Sequence, residues 1–398
     1  MIQVQEAESI VLSNSFDLGV ESIDLENAVG RVIAEDVFAD RDLPPFNRVS
    51  MDGIAIRYQD FNTGQRSFKI EGVVAAGTAQ QQTEKPGVCM EVMTGSVLPV
   101  GLDSVIRYED IELENGFASV IIDDIKPEQN VHKQAKDRVK GDILIPKGSI
   151  ISAVEIGICA SVGKSNIQVA KLPKTIIIST GDELVDIHET PKAHQIRKSN
   201  VARISAQLQS LGIKADAAHL NDDKIEMEQS LKAILENYDL IILSGGVSKG
   251  KFDYVPEILS KLSVEKLFHK VRQRPGKPFW FGKSDSAIIF ALPGNPNSSF
   301  VCTIRYVLPW IKKSIGMGLV ELNVQLTNEV TFNKPLTRFL AVQLSFSTEG
   351  AMEAYPINGN GSGDFASLIS ASGFVELPAE QDTFSQREVL RYFPFKSY

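Results

Sequence analysis

The sequence predicts a multidomain α/β protein: a central three-layer parallel α/β domain, a discontinuous helical domain, an inserted β-rich domain and a C-terminal β-barrel-like domain. Three observations carry this. At 398 residues the chain is too long for one ordinary core. From Thr175 to about residue 315, short apolar runs alternate with amphipathic segments, the pattern of buried strands joined by helices. Residues 50–136 and 317–398 instead alternate with a period of two, broken by glycine and polar turns.

Composition narrows the function classes. Hydrophobic residues make up 43% and charged residues 23%, which excludes a mainly disordered chain. A net charge of −9, from 50 acids and 41 bases, argues against a broad nucleic-acid face or an anionic-membrane surface. No apolar run approaches the roughly 18 residues of a membrane span, and Met1–Glu6 lacks the plan of a signal peptide. The expected location is the cytoplasm, with no membrane and no nucleic-acid partner. Cys89, Cys159 and Cys302 are far apart among apolar neighbours, so we expect structural thiols.

In chain order, an amphipathic helix is expected around Ala7, Ile10 and Val11, and a second, short one over Leu25–Arg31. Pro44-Pro45 forbids helix and predicts an exposed, extended crossing. Strands are expected at Phe68–Val73 and Ala118–Ile122, and a helix over Ile150–Ile158 that packs back on the first helices. The resulting boundaries are 1–45 with 138–173, then 46–137 as the insertion, 174–316, and 317–398.

Within 174–316, Thr175–Ser179 reads as the first strand, and the next helix places Val201, Ile204, Leu208 and Leu211 on one face. Ile213–Leu220 is the second strand. Asp222 or Asp223 caps the following helix, whose Ile225, Leu231 and Leu235 are expected to face inward. Leu240–Leu243 is the third strand, and two more follow near Leu267–Val271 and Ala287–Leu292. A helix then carries Phe300, Val301, Ile304 and Val307.

Ligands of open parallel sheets sit where strands end, and the unusual loops fall there. Thr180-Gly181-Asp182-Glu183 follows the first strand, Asn221-Asp222-Asp223 the second, Ser244-Gly245-Gly246-Val247-Ser248 the third, and Pro293-Gly294-Asn295-Pro296 the last. The glycines open backbone N–H groups to an anion, a helix start near Asp253 points its positive end at the same place, and the carboxylates suit Mg²⁺. Lys270, Arg274 and Lys277 flank a proline-bounded loop and suit phosphate or oxyanion, while Phe279 and Trp280 suit a core or a ring platform. The histidines show no metal-ligand spacing, and neither GxGxxG nor GxxxxGK[ST] occurs.

With these motifs in order, the chain resembles the molybdopterin molybdenumtransferase family, the group that includes MoeA and the gephyrin E domain. The resemblance rests on Pro45-Phe46 with Ser50-Met51-Asp52-Gly53, Met93-Thr94-Gly95-Ser96, Ser179–Leu184, Ser244–Tyr254, Pro275-Gly276-Lys277-Pro278, Leu292–Pro296 and Gly361-Ser362-Gly363. It implies a four-domain homodimer whose cleft lies between the α/β domain of one subunit and the β-rich domain of the other. The implied reaction inserts molybdenum from molybdate into adenylated molybdopterin with Mg²⁺ and releases AMP.

The resemblance also assigns residues. Asp52, Thr94 and Asp137 are implied on the β-rich side, with Glu183, Lys270 and Arg274 completing the catalytic group. Ser244, Gly245, Gly246, Val247, Ser248, Pro293, Gly294, Asn295, Pro296 and Ser362 are implied to bind the pterin compound, and Asp222, Asp223 and Asp253 the metal. Four places depart from the family pattern. Val131–Lys136 replaces an arginine-rich run, Lys198 stands where an acid is common, Arg274 stands where lysine is frequent, and Asn47-Arg48-Val49 replaces Asp-Asn-Ser. A molybdopterin adenylyltransferase and a catalytically weakened scaffold stay open as alternatives, and transient contact with an adenylyltransferase is a further expectation.

Overall fold

The computed structural model describes residues 1–247, 253–359 and 363–396. It forms two compact units: Met1–Ala34 with Gly148–Ser152 and Asn166–Tyr398, and Glu35–Lys147 with Ala153–Ser165. Among the described residues no helix is long and apolar enough to cross a membrane.

The first unit begins with helix α1, Val4–Ser13, which buries Val4, Ala7 and Val11 at the expected helical spacing. The second helix expected near residue 25 is only a 3₁₀ turn, Leu25–Asn27. Gly30, at φ 81°, ends that turn, and Val29 is left exposed.

The centre of this unit is a six-stranded sheet. In chain order its elements are β1 (Thr175–Thr180), α2 (Ser199–Gln209), β2 (Asp216–Leu220), α3 (Lys224–Leu235), β3 (Leu240–Ser244), α4 (Val255–Lys261), β4 (Glu265–His269), β5 (Trp280–Lys283), β6 (Ile288–Leu292) and α5 (Pro296–Cys302). Their spatial order is β2-β1-β3-β6-β5-β4. The pairings among β2, β1, β3 and β6 are parallel, whereas β5 runs antiparallel to both neighbours.

The central strands β1, β3 and β6 have no exposed face because both faces are covered, whereas β2 and β4 at the sheet edges expose Asp216, Glu265 and Lys266. Ile177, Ile242 and Phe290 join the core shared with α1, α2 and α5. Their neighbours Ile176, Ile178, Ile241, Leu243 and Ile289 join Met227, Leu231, Val255 and Ile258 on the other face. A period of two therefore sorts one apolar run into two cores, which makes three layers.

Two details correct the sequence reading. Trp280–Lys283 forms a strand that the sequence pattern does not mark, while Trp280, and Phe279 just before it, take the core reading rather than that of a ring platform. The inward face of α3 is Met227, Leu231 and Leu235, while Ile225 is 71% exposed.

The last stretch closes a ring of five strands, β7 (Leu322–Leu326), β8 (Thr337–Phe346), β9 (Met352–Pro356), β10 (Gly373–Leu377) and β11 (Val389–Pro394). It runs β8-β9-β7-β11-β10 and back to β8. Closure leaves no free sheet edge in the ring. Arg305, 1% exposed, ties this ring to α1: it donates to Glu376 of β10 at 3.0 Å and to Glu8 of α1 at 2.7 Å.

The second unit holds another six-stranded sheet, ordered Ser104–Arg107, Gly53–Ile56, Val88–Val92, Ser67–Val74, Phe117–Val120 and Ile111–Glu114. The Pro44-Pro45 segment is less exposed than expected. Pro44 is buried, and the Leu43 N–H bonds the Arg138 carbonyl at 2.8 Å. The helix expected at 150–158 forms at Ala153–Ser161 within this unit. All three cysteines are buried and free, and burial raises their thiols, that of Cys89 to about 12, as suits structural packing.

Candidate active site

The chain leaves β1 for β2 on one side, and β3 lies on the other. The strand order thus reverses between β1 and β3, the place where open α/β sheets hold ligands beyond the carboxyl ends of their strands. A cavity of about 420 Å³ lies there. Glu183, Asp222, Ser244, Gly245, Gly246, Val247, Asp253, Pro293, Gly294, Asn295 and Pro296, all expected site residues, line it.

The glycine turn is fixed by geometry. Gly245 takes φ 112° and Gly246 φ 70°, both unfavourable for residues with a Cβ. A Cβ on Gly245 would lie 2.5 Å from the Thr180 hydroxyl oxygen. The turn therefore packs its backbone directly against the loop after β1. At the end of β6, the Asn295 side chain caps α5 by accepting from the Ser298 N–H at 3.1 Å.

Carboxylates face this turn. Asp222 has its carboxyl raised, first by burial and then by the charges of Asp182 and Glu183, with Asp253 adding to them. Acids crowded around Asp222 favour a cation, and an all-oxygen donor set fits Mg²⁺, which keeps water and substrate phosphate among its ligands. Asp223 is committed differently. Its Oδ1 accepts from the Ile225 and Glu226 N–H groups, each at 2.9 Å, and so caps α3. Among the described residues, the trio whose ligand atoms lie within 4.8 Å of one another is Asp186, His188 and Glu189. All three are exposed, and Asp186 is paired with Lys198 at 2.9 Å. His219 meets the Ser179 hydroxyl at 2.9 Å and is lowered by burial.

Two residues unremarked in the sequence span the cavity loops. Asn200, at the start of α2, donates through Nδ2 to Ser244 Oγ at 2.9 Å and to the Gly294 carbonyl at 2.8 Å. Arg203, one turn on, donates through Nη2 to Asn200 Oδ1 at 3.1 Å. Their three-residue spacing at a helix start was the available signal.

Other expected residues lie elsewhere. Arg274 lines a separate cavity of about 450 Å³ with Lys334 and Arg338. Lys270 lines neither cavity; it takes φ 75° and its N–H bonds the Phe279 carbonyl at 2.8 Å. In the second unit, Asp52 Oδ1 accepts the Thr94 N–H at 2.6 Å, which lowers the Asp52 carboxyl. Asp137 there meets His132 at 2.9 Å. Ser248 and Ser362 fall outside the described residues.

A molybdopterin molybdenumtransferase from Synechocystis is 40% identical over 403 residues, covering 100% of both chains. The chain belongs to the molybdopterin molybdenumtransferase family. A second relative of that name, from Staphylococcus epidermidis, is 31% identical and covers 95% of this chain and 91% of its own. Residues 2–163 match the MoeA N-terminal region, domains I and II. Residues 176–313, which contain the sheet and the cavity loops, match a probable molybdopterin binding domain. Residues 323–394, which contain the five-strand ring, match the MoeA C-terminal region, domain IV. The crystal structure of a molybdopterin biosynthesis MoeA protein from Pyrococcus horikosii superposes with a TM-score of 0.86 at 29% identity, over 100% of each chain. The loops that build the cavity therefore lie in the part of this molybdenumtransferase-family chain that matches the molybdopterin-binding model.

Proposed function

We propose that the chain inserts molybdenum from molybdate into adenylated molybdopterin, releasing AMP and forming molybdenum cofactor. The observation that carries this reading is the cavity at the β1/β3 switch point, where a glycine turn with no Cβ to block a ligand lines the same space as Asp222, Glu183 and Asp253. A turn of this kind suits a phosphate, and the facing acids suit the cation that neutralises it. The pterin phosphate is assigned to Ser244–Ser248, with Pro293–Pro296 forming the adjoining wall. Asp222 and Asp253 hold Mg²⁺ together with substrate phosphate oxygens, and Asp223 supports them by fixing the start of α3. Bound there, Mg²⁺ supplies charge neutralisation on the phosphoanhydride as it breaks.

The oxyanion is assigned to the second cavity. Burial and the neighbouring Arg274 charge lower the Arg338 guanidinium, so an anion there relieves like-charge repulsion. Lys270 lies outside that cavity, which leaves Arg274 and Arg338 as the pair for molybdate. The protein acts in the cytoplasm as a four-domain homodimer, with Asp52, Thr94 and Asp137 contributed by the partner subunit. It receives the adenylate from a transiently bound adenylyltransferase. Asp253→Asn tests the assignment: molybdenum insertion should fall by a large factor at an unchanged melting temperature, and unchanged turnover would remove Asp253 from the site. Mixing inactive Asp52→Ala and Asp253→Asn chains tests the dimer. Regained activity supports a shared site, and its continued absence after subunit exchange counts against one.

A further inference from the structure

We infer that Asn200 and Arg203 are positioning residues: together they set the gap between the two loops that grip the anionic end of the substrate. The inference rests on the pterin-phosphate assignment of the glycine turn. Ser244 and Gly294 end adjacent strands, β3 and β6, and an added Cβ at Gly294 would stand 3.5 Å from the Gly245 Cα. Asn200 is the side chain that bonds both loops at once.

Its amide orientation is dictated by chemistry. Gly294 offers a carbonyl and accepts only, and Arg203 donates only. Nδ2 must therefore face Gly294, and Oδ1 must face Arg203. Arg203 in turn is locked: its Nη2 also donates to the Pro296 carbonyl and lies 3.5 Å from Ser299 Oγ, and its guanidinium lies 4.7 Å from the centre of the Phe300 ring.

Arg203 also brings a charge. Burial pulls the guanidinium down to about 10, and among the described residues its buried Nε has no hydrogen-bond partner and no carboxylate pairs with it. A half-buried cation of this kind, bonded to the Pro296 carbonyl of the loop beside the glycine turn, favours an anion in the neighbouring cavity. The pair thus orients the turn and favours a phosphate over a neutral group, without touching the reacting atoms.

The test is a double-mutant cycle on the full chain with Asn200→Ala, Arg203→Gln and the combined variant, reading kcat and KM for adenylated molybdopterin. Losing this strut should raise KM about tenfold, the effect of one or two polar hydrogen bonds. The kcat should change far less, and the double variant should equal the worse single one. Arg203→Lys keeps the charge and should fall between wild type and Arg203→Gln. Additive effects, or unchanged KM in a folded Asn200→Ala chain, would overturn the inference. Thermal midpoints with and without inorganic phosphate separate it from the parent reading. If wild type turns over no adenylate yet gains phosphate protection that Asn200→Ala lacks, the strut stands and the molybdenum-insertion reading falls. If wild type turns over and the variants match it, the strut falls alone.

Discussion

Arg274 and Arg338 are register partners: the short strand Gln273–Arg274 runs parallel to β8 and sets their Cα atoms opposite each other. The two cations share one cavity, and Arg338 is lowered by burial and by its neighbour. Like charges held together this way cost the empty protein stability and favour a bound oxyanion. Arg338→Gln should therefore leave the melting temperature unchanged or slightly higher, while the KM for molybdate rises about tenfold or more, the worth of one charge-assisted hydrogen bond. Steady-state kinetics at varied molybdate, beside a thermal melt, read both quantities.

Asp222 predicts the same pairing of effects for a cation. Its carboxyl is raised in the folded chain, so the folded state holds the proton more tightly than the unfolded one. That contribution is complete below the unfolded value and is lost as pH rises through the folded value. At pH 7 the ionised Asp222 is therefore a cost, and Asp222→Asn should melt a little higher without metal, by about 2 °C. The difference should disappear in acid. Added Mg²⁺ should raise the midpoint of wild type and not that of the variant.

Asp223 separates capping from metal binding. Its two accepted N–H bonds fix the start of α3. Asp223→Ala should cost about 1 kcal/mol of stability, whereas Asp223→Ser should restore most of it and keep turnover. Urea denaturation with parallel assays distinguishes the roles; a stable but inactive Asp223→Ser chain would assign Asp223 to the chemistry.

The junction of α1 with the five-strand ring sets the acid limit. Burial alone would raise Glu8, but the hydrogen bonds and charges of Arg305 and Arg391 outweigh it and hold its carboxyl at about 2. A lowered carboxyl stabilises above its unfolded value and loses that support as pH falls toward the folded one. Wild type should thus lose stability between pH 4.5 and about 2, and Glu8→Gln should flatten that limb. Glu376, 4% exposed beside Arg305, is the more costly site: Glu376→Ala should lose about 3 kcal/mol or more, because it leaves the Arg305 charge buried with one acid fewer.

Much of the cavity lining is legible in the sequence because its signals are local. Runs such as Ile176-Ile177-Ile178 and Leu240–Leu243 admit few environments, and the loops behind them carry the glycines and acids. Strand β5 is hidden in the sequence because it follows a proline-bounded loop and contains Gly282. That glycine is required by tertiary packing: a Cβ there would lie 2.5 Å from the Glu265 carbonyl oxygen of β4. Asn200 and Arg203 carry no distinct signal in the sequence, because polar residues three apart at a helix start also suit an ordinary solvated turn. Only the fold shows that this turn lies across the ends of β3 and β6. Arg274 and Arg338 meet through register between distant segments, which no periodicity encodes. Ile225 suggests an inward face because it is apolar; the phase of α3 is set instead by Met227, Leu231 and Leu235.

The most direct measurement is AMP release by the purified chain given adenylated molybdopterin, molybdate and Mg²⁺, with ATP plus molybdopterin as the parallel arm. The predicted result is molybdate-dependent consumption of the adenylate with AMP and molybdenum cofactor as products. Adenylate left intact with molybdate, or formed from ATP in the parallel arm, would contradict the molybdenum-insertion reading.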